Sequence, residues 1–142
     1  GLNGFSIEFI EKSGAIAEDR AGNVWFSGNG QLYQVRNGLF IRAPVPHEPV
    51  RELLGDRAGN LWIGAPGHGL MQMREGRFRT FDKRDGLADD EVTALYEGPA
   101  GTVWVGLRNG GVSRFDAAAQ RFDLVRVFTG FKTPDDHVYF LG

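Results

Sequence analysis

Three histidines, His47, His68 and His137, are the side chains best suited to proton transfer or metal ligation in this 142-residue chain. They stand alone, without the His-x-His or His-Glu-x-x-His spacing that would bring two ring nitrogens to one zinc ion. An acidic run, Asp85, Asp89, Asp90 and Glu91, offers the oxygen ligands that calcium takes. Its spacing fits no calcium loop, and Lys83 and Arg84 adjoin it, so no metal site is assigned. Trp25, Trp62 and Trp104 could stack on a sugar ring, and Asp19 and Asp56 could serve as catalytic carboxylates. No nucleophile elbow, phosphate-binding glycine loop or triad pattern accompanies them. The glycine-rich runs Gly28-Asn29-Gly30 and Gly64-Ala65-Pro66-Gly67-His68-Gly69 precede no helical stretch, so they are strand connections rather than a dinucleotide fingerprint. No catalytic residue and no cofactor are assigned.

Sequence context decides what the tryptophans and aspartates do. Asp19-Arg20-Ala21-Gly22-Asn23-Val24-Trp25-Phe26 is nearly repeated as Asp56-Arg57-Ala58-Gly59-Asn60-Leu61-Trp62-Ile63-Gly64. Gly101-Thr102-Val103-Trp104-Val105-Gly106 is a looser third copy. The three tryptophans of the protein occupy the same place in the copies, 37 and 42 residues apart, a period that suits units of four strands. In Asp-x-x-Gly, Asp19 or Asp56 heads a turn by accepting a backbone N–H, and Gly22 or Gly59 closes it with positive φ. Gly101 does the same after Pro99. Tryptophans fixed in the second strand of each unit are packing residues between units.

The elements that carry these motifs are short, apolar, alternating runs broken by Gly or Asn, which is strand periodicity. In the middle copy the strands are expected at residues 50–55, 60–64, 69–74 and 77–81. Asn37-Gly38 is the two-residue hairpin signal, Glu75-Gly76 takes its place in the second unit, and Ala117-Ala118-Ala119 reads as a longer loop. Asn3-Gly4-Phe5 resembles the entry to a fourth strand, and Asp135-Asp136-His137-Val138 resembles Asp89-Asp90-Glu91-Val92, the entry to a first strand. The chain is therefore divided into the last strand of a preceding unit (1–12), three units (13–49, 50–91 and 92–134) and the first strand of a next unit (135–142). It would be a piece of a longer array.

These copies resemble the two-component regulator propeller repeat, whose pattern runs Glu-Asp-x-x-Gly-Asn-Leu-Trp-Ile-Gly-Thr, then Gly-Leu-x-Arg-Tyr. The matches are Glu18-Asp19 through Trp25, Asp56 through Gly64 with Gly69-Leu70, Val103 through Gly106 with Gly111 through Phe115, and the lead-in Asp85 through Val92. The copies depart from the pattern where Ala65 and Leu107 replace the Thr and where the third turn lacks its Asp. The resemblance implies an all-β β-propeller fragment: about three four-stranded antiparallel blades with a partial strand at each end. It also implies a non-catalytic, periplasmic or otherwise extracytoplasmic sensor segment of a two-component signalling protein such as a hybrid histidine kinase.

In a propeller, the connections before the first strand and between the second and third strands open on one face. His47, His68, Arg84, Asp90, Arg108, Asn109 and His137 fall there, a candidate polar rim for a small-molecule or glycan ligand. Asn23-Val24-Trp25-Phe26 also echoes a strand of the streptogramin lyases, which are propellers too. An enzyme of that type would use His68 as general base. A purely structural, protein-interaction propeller is the third alternative.

Composition removes other classes. A net charge of −2 and a pI near 5.9 disfavour nucleic acid. With no cysteine there is no disulfide or thiolate chemistry. Apolar runs are only a few residues long, so no membrane contact by this segment is expected. Two uncovered blade faces of about 400 Å² each would gain roughly 10 kcal/mol apiece on burial. Self-association through the end blades, or through residues 5–10 and 138–141, is therefore expected.

Overall fold

The structure is a computed structural model, and it describes residues 13–109, 111–125, 131–132 and 138–139. The strand expected within 1–12 and the candidate His137 lie outside the described residues. The first sheet consists of β1 (Ser13–Glu18), β2 (Val24–Gly28), β3 (Gln31–Arg36) and β4 (Leu39–Ala43). The second has β5 (Glu52–Gly55), β6 (Leu61–Gly64), β7 (Leu70–Arg74) and β8 (Arg77–Phe81). The third has β9 (Val92–Glu97), β10 (Val103–Leu107), β11 (Gly111–Asp116) and β12 (Arg121–Leu124). Each is an antiparallel meander in chain order. A short ladder joins β13 (Phe131–Lys132) to β14 (Val138–Tyr139), and Lys83–Asp85 makes one 3₁₀ turn.

The middle sheet is buried on both faces, and the two-residue period explains how. Leu61 and Ile63 of β6 pack with Trp25 and Leu32 of the first unit and with Val50, just before β5. Trp62, between them in sequence, points the opposite way into a cluster with Val103, Val105 and Phe122 of the third sheet. Leu70 and Met71 divide in the same manner between the two clusters. The sheets also fan: neighbouring sheets touch chiefly through their first strands, β1 on β5 and β5 on β9. Gly55 permits that approach, because a Cβ there would collide with the Glu18 carbonyl. Three four-stranded sheets stacked this way are blades of a β-propeller.

Hairpin chemistry matches the sequence. Asn37 and Gly38 have φ of 50° and 75°, and Glu75 and Gly76 have 51° and 75°, so both pairs take the left-handed turn that suits strand twist. In the third unit, Ala117–Ala119 widens the loop and Gln120 takes the positive φ, 53°.

The turn aspartates reach further than their turns. Asp56 accepts hydrogen bonds from the Asn60 N–H (2.8 Å), Asn60 Nδ2 (2.9 Å) and Trp62 Nε1 (2.7 Å). Asn60 Oδ1 in turn accepts from Gln72 Nε2 on β7 at 3.0 Å. Asp19, Asn23, Trp25 and Gln34 repeat the arrangement in the first blade, with the indole bond at 2.9 Å. In the third blade Gly98, Thr102 and Arg114 occupy the corresponding places. Trp104 there lies under the Arg114 guanidinium, 5.9 Å from its ring centre.

Burial raises the Asp19 carboxyl, but bonds from Trp25, Asn23 and Ala21 outweigh it and hold its pKa below the ordinary value. A lowered folded pKa contributes stability that is fully present above the unfolded value and is lost as pH falls through the folded one. The urea midpoint should therefore stay level from neutral pH to about pH 4 and fall below it. Asp19→Asn should start lower and show a shallower acid slope. Equal acid slopes for the two proteins would contradict this assignment.

Candidate functional site

The loop face is built from connections that the blade hydrogen bonds hold in place. His47 belongs to the connection between β4 and β5, and His68 to the loop between β6 and β7. Their rings stack with centroids 4.6 Å apart and planes 6° from parallel. The His68 loop is fixed by a His68 N–H bond to the Ala65 carbonyl (2.9 Å) and a Gly69 N–H bond to the Asp90 carbonyl (3.0 Å). Gly69 holds φ +77° and leaves no room for a Cβ against the Phe81 carbonyl, so this loop admits only glycine there.

From Asp90 the connections continue into the third blade. The Arg108 N–H donates to the Glu91 carbonyl at 3.0 Å, and the Asn109 N–H to Asp89 Oδ2 at 2.9 Å. Bonds from the Glu91 and Asn109 N–H groups hold the Asp89 carboxyl below its usual range. His47, His68, Asp90, Arg108 and Asn109 thus sit on one continuous set of loops. Arg84 does not join them: its guanidinium meets Asp82 at 3.0 Å and is largely exposed. His137 falls outside the described residues. Among the described residues, no three His, Asp or Glu side chains are grouped to hold a metal. Asp90 Oδ1 is buried without a hydrogen-bond partner.

One part of this face was not foreseen from sequence. A cleft of 570 Å³ lies between the first and second blades, lined by Gly14, Ser27, Asn29, Gly30, Arg51 and Glu52 among others. Glu52 stands on β5, one of the strands along which the blades converge, and burial pushes its carboxyl pKa up. A charged residue in the first strand of a repeat was the available signal. The space itself depends on glycines: a Cβ on Gly30 would press Pro49 at 2.9 Å. A slightly larger cleft, 640 Å³, opens near the Asp19 turn, lined by Asp19, Asn23 and Trp25. The polar groups there already bond to one another, so the loop-face cleft is the better candidate despite its smaller volume.

Comparison with known proteins agrees with this architecture. Residues 86–109 match the family described as the two component regulator propeller. No curated protein matches in sequence. Among solved structures, the chain superposes on the extracellular domain of a protein described as a hybrid two-component system of B. thetaiotaomicron, with TM-score 0.68 and 16% identity over 80% of this chain and 18% of that one. A second such domain from that organism gives TM-score 0.65 and 18% identity over 90% of this chain and 20% of the other. Virginiamycin B lyase from Staphylococcus aureus gives TM-score 0.67 and 16% identity over 92% of this chain and 48% of the lyase. The chain therefore spans about a fifth of the matched extracellular domains and about half of the lyase. No helix among the described residues is long and apolar enough to cross a membrane. Residues 86–109 thus carry the two component regulator propeller repeat, and the chain has the propeller fold of these extracellular domains.

Proposed function

We propose that this chain is a non-catalytic, extracytoplasmic segment of a two-component sensor, and that it takes a small polar molecule or glycan on its loop face. The observation that carries the proposal is the meeting of His47 and His68, from two connections, at 4.6 Å. Beside the His68 loop lies Asp90, one of whose carboxylate oxygens is buried and unpartnered. Imidazole rings give an apolar face for a sugar ring and ring nitrogens for its hydroxyls. Arg108 and Asn109 supply further donors on the adjoining loop. Binding there would favour whichever blade arrangement closes the loops around the ligand, and so shift a coupled equilibrium in the receptor.

A panel of oligosaccharides screened by thermal shift, with hits followed by calorimetry, tests this directly. His68→Ala should weaken a hit about tenfold, or ~1.4 kcal/mol, without lowering the melting temperature of the free chain. A hit bound equally well by His68→Ala would remove the loop face from the account.

A lyase of the streptogramin type is the second reading, favoured by the superposition on virginiamycin B lyase and by a histidine on the loop face. Turnover of a lactone substrate that His68→Ala abolishes would favour this enzyme over the sensor.

A further inference from the structure

The two outer blades carry complementary halves of the contact that joins the inner ones. Between the second and third blades, Trp62 is the inserting residue, and its ring lies 5.9 Å from that of Phe122 on β12. Between the first and second blades, Trp25 inserts in the same way, with Phe78 of β8 packed against its cluster. The strand registers Val35↔Phe40, Met73↔Phe78 and Phe115↔Phe122 put Phe40 in the place of Phe78 and Phe122. Phe40 therefore occupies the receiving position of the first blade, yet it is 56% exposed. It stacks on Phe26 at 5.5 Å, forming an aromatic surface on the face turned away from the second blade. The inserting position of the third blade is also turned outward. Trp104 lies between Val103 and Val105, which face the second blade, and its cross-strand neighbour Tyr96 is 62% exposed.

Charge follows the same template. Arg79 of β8 donates from its guanidinium to Gln120 in the hairpin turn of the third blade. The registers Gln72↔Arg79 and Arg114↔Asp123 put Asp123 in the place of Arg79 on the third blade. The turn it would meet on a first blade is Asn37-Gly38, next to Arg36. An acid would face a base, where the opposite order would repel.

We propose that the outer face of the third blade docks on the outer face of the first blade of a second copy of this chain. Trp104 would enter the Phe40 and Phe26 surface, and Asp123 would approach Arg36. The contact is heterologous, and two copies joined head to tail through it twice would close a ring of six blades, within the range of four to eight that propellers form. This extends the fold and is independent of what the loop face binds.

Sedimentation velocity of the 142-residue chain at micromolar concentration should show a dimer. A monomer, or an open-ended series of larger species, would overturn the proposal. Phe40→Glu spoils only the receiving face and Trp104→Glu only the inserting face. Each variant alone should lose dimer affinity at least tenfold, and their equimolar mixture should regain association through the one intact pair of faces. Either variant dimerising alone like the parent chain would overturn the head-to-tail contact, as would a mixture that stays monomeric. Circular dichroism of each variant separates lost docking from lost folding, and the parent measurement needs no variant.

Discussion

Trp62→Ala should cost about 3–5 kcal/mol of folding stability, against a total of roughly 5–15 kcal/mol for an ordinary domain. The side chain is fully buried, and its indole meets Phe115 at 4.8 Å and Phe122 at 5.9 Å on the third blade and Phe81 at 5.8 Å on its own. Truncation would open a cavity at the middle of the interface between two blades, whose backbones are already close and cannot collapse into it. The melting temperature should fall by about 10–17 °C for a chain of this size. Trp62→Phe, which keeps most of the ring but loses the indole N–H, should cost a third of that or less. Trp104→Ala provides the contrast: Trp104 is only half-buried in the chain and should cost much less. A Trp104→Ala loss as large as that of Trp62→Ala would show that the two tryptophans do not divide between inner and outer faces as described.

Asp56→Ala should cost about 3–4 kcal/mol, because three buried donors lose their acceptor, and the two with the shortest bonds, the Asn60 N–H and the Trp62 indole N–H, account for about 1–3 kcal/mol each. Asp56 is itself buried and makes both bonds at 2.8 Å or less. Asp56→Asn retains one oxygen and should fall between the parent chain and the alanine variant. The double variant Asp56→Ala with Trp62→Ala should lose less than the sum of the two, since the bond between them is counted in both. Chemical denaturation of the four proteins supplies the cycle, and strict additivity would mean that the carboxylate does not hold the indole.

Much of the fold could be read from sequence because its signals are local. The turn Asp-x-x-Gly, the Asn37-Gly38 hairpin and the alternation of Leu61, Trp62 and Ile63 each specify backbone within a few residues. Strands expected at 50–55 and 69–74 appear as Glu52–Gly55 and Leu70–Arg74. The bond from Trp62 to Asp56 could not be read in the same way. It spans six residues, and it forms only after β6 runs back beside β5, so Asp-x-x-Gly by itself explains the turn and not the indole. The loss of Asp at Gly98 was visible in the third copy, but its link to the place of Arg114 needed the strand register.

The loop face was legible as a face and not as a site. His47 and His68 are 21 residues apart, and nothing local places one ring on the other; the blade packing does. Arg84 is expected with them from its position in its connection, but the 3₁₀ turn it occupies directs its guanidinium to Asp82, whose carboxylate both caps that turn and takes the guanidinium. Glu52 escaped notice because its strand otherwise reads as core and because the cleft beside it is made by missing side chains at Gly14 and Gly30. Repetition explains the asymmetry. Residues shared by the copies hold blades together, and the proposed recognition falls in the connections in which the copies differ.

The most direct test of that division is a chemical-shift map of the ¹⁵N-labelled chain titrated with a ligand found by the oligosaccharide screen. The account predicts that the perturbed amides gather in the connections around His47, Gly67 to Gly69, Asp89 to Glu91 and Arg108 to Asn109, with the turns at Asp19 and Asp56 unmoved. Perturbations centred on those two turns and on the indole N–H groups of Trp25 and Trp62 would contradict it, because they would place recognition in the repeated stretch itself.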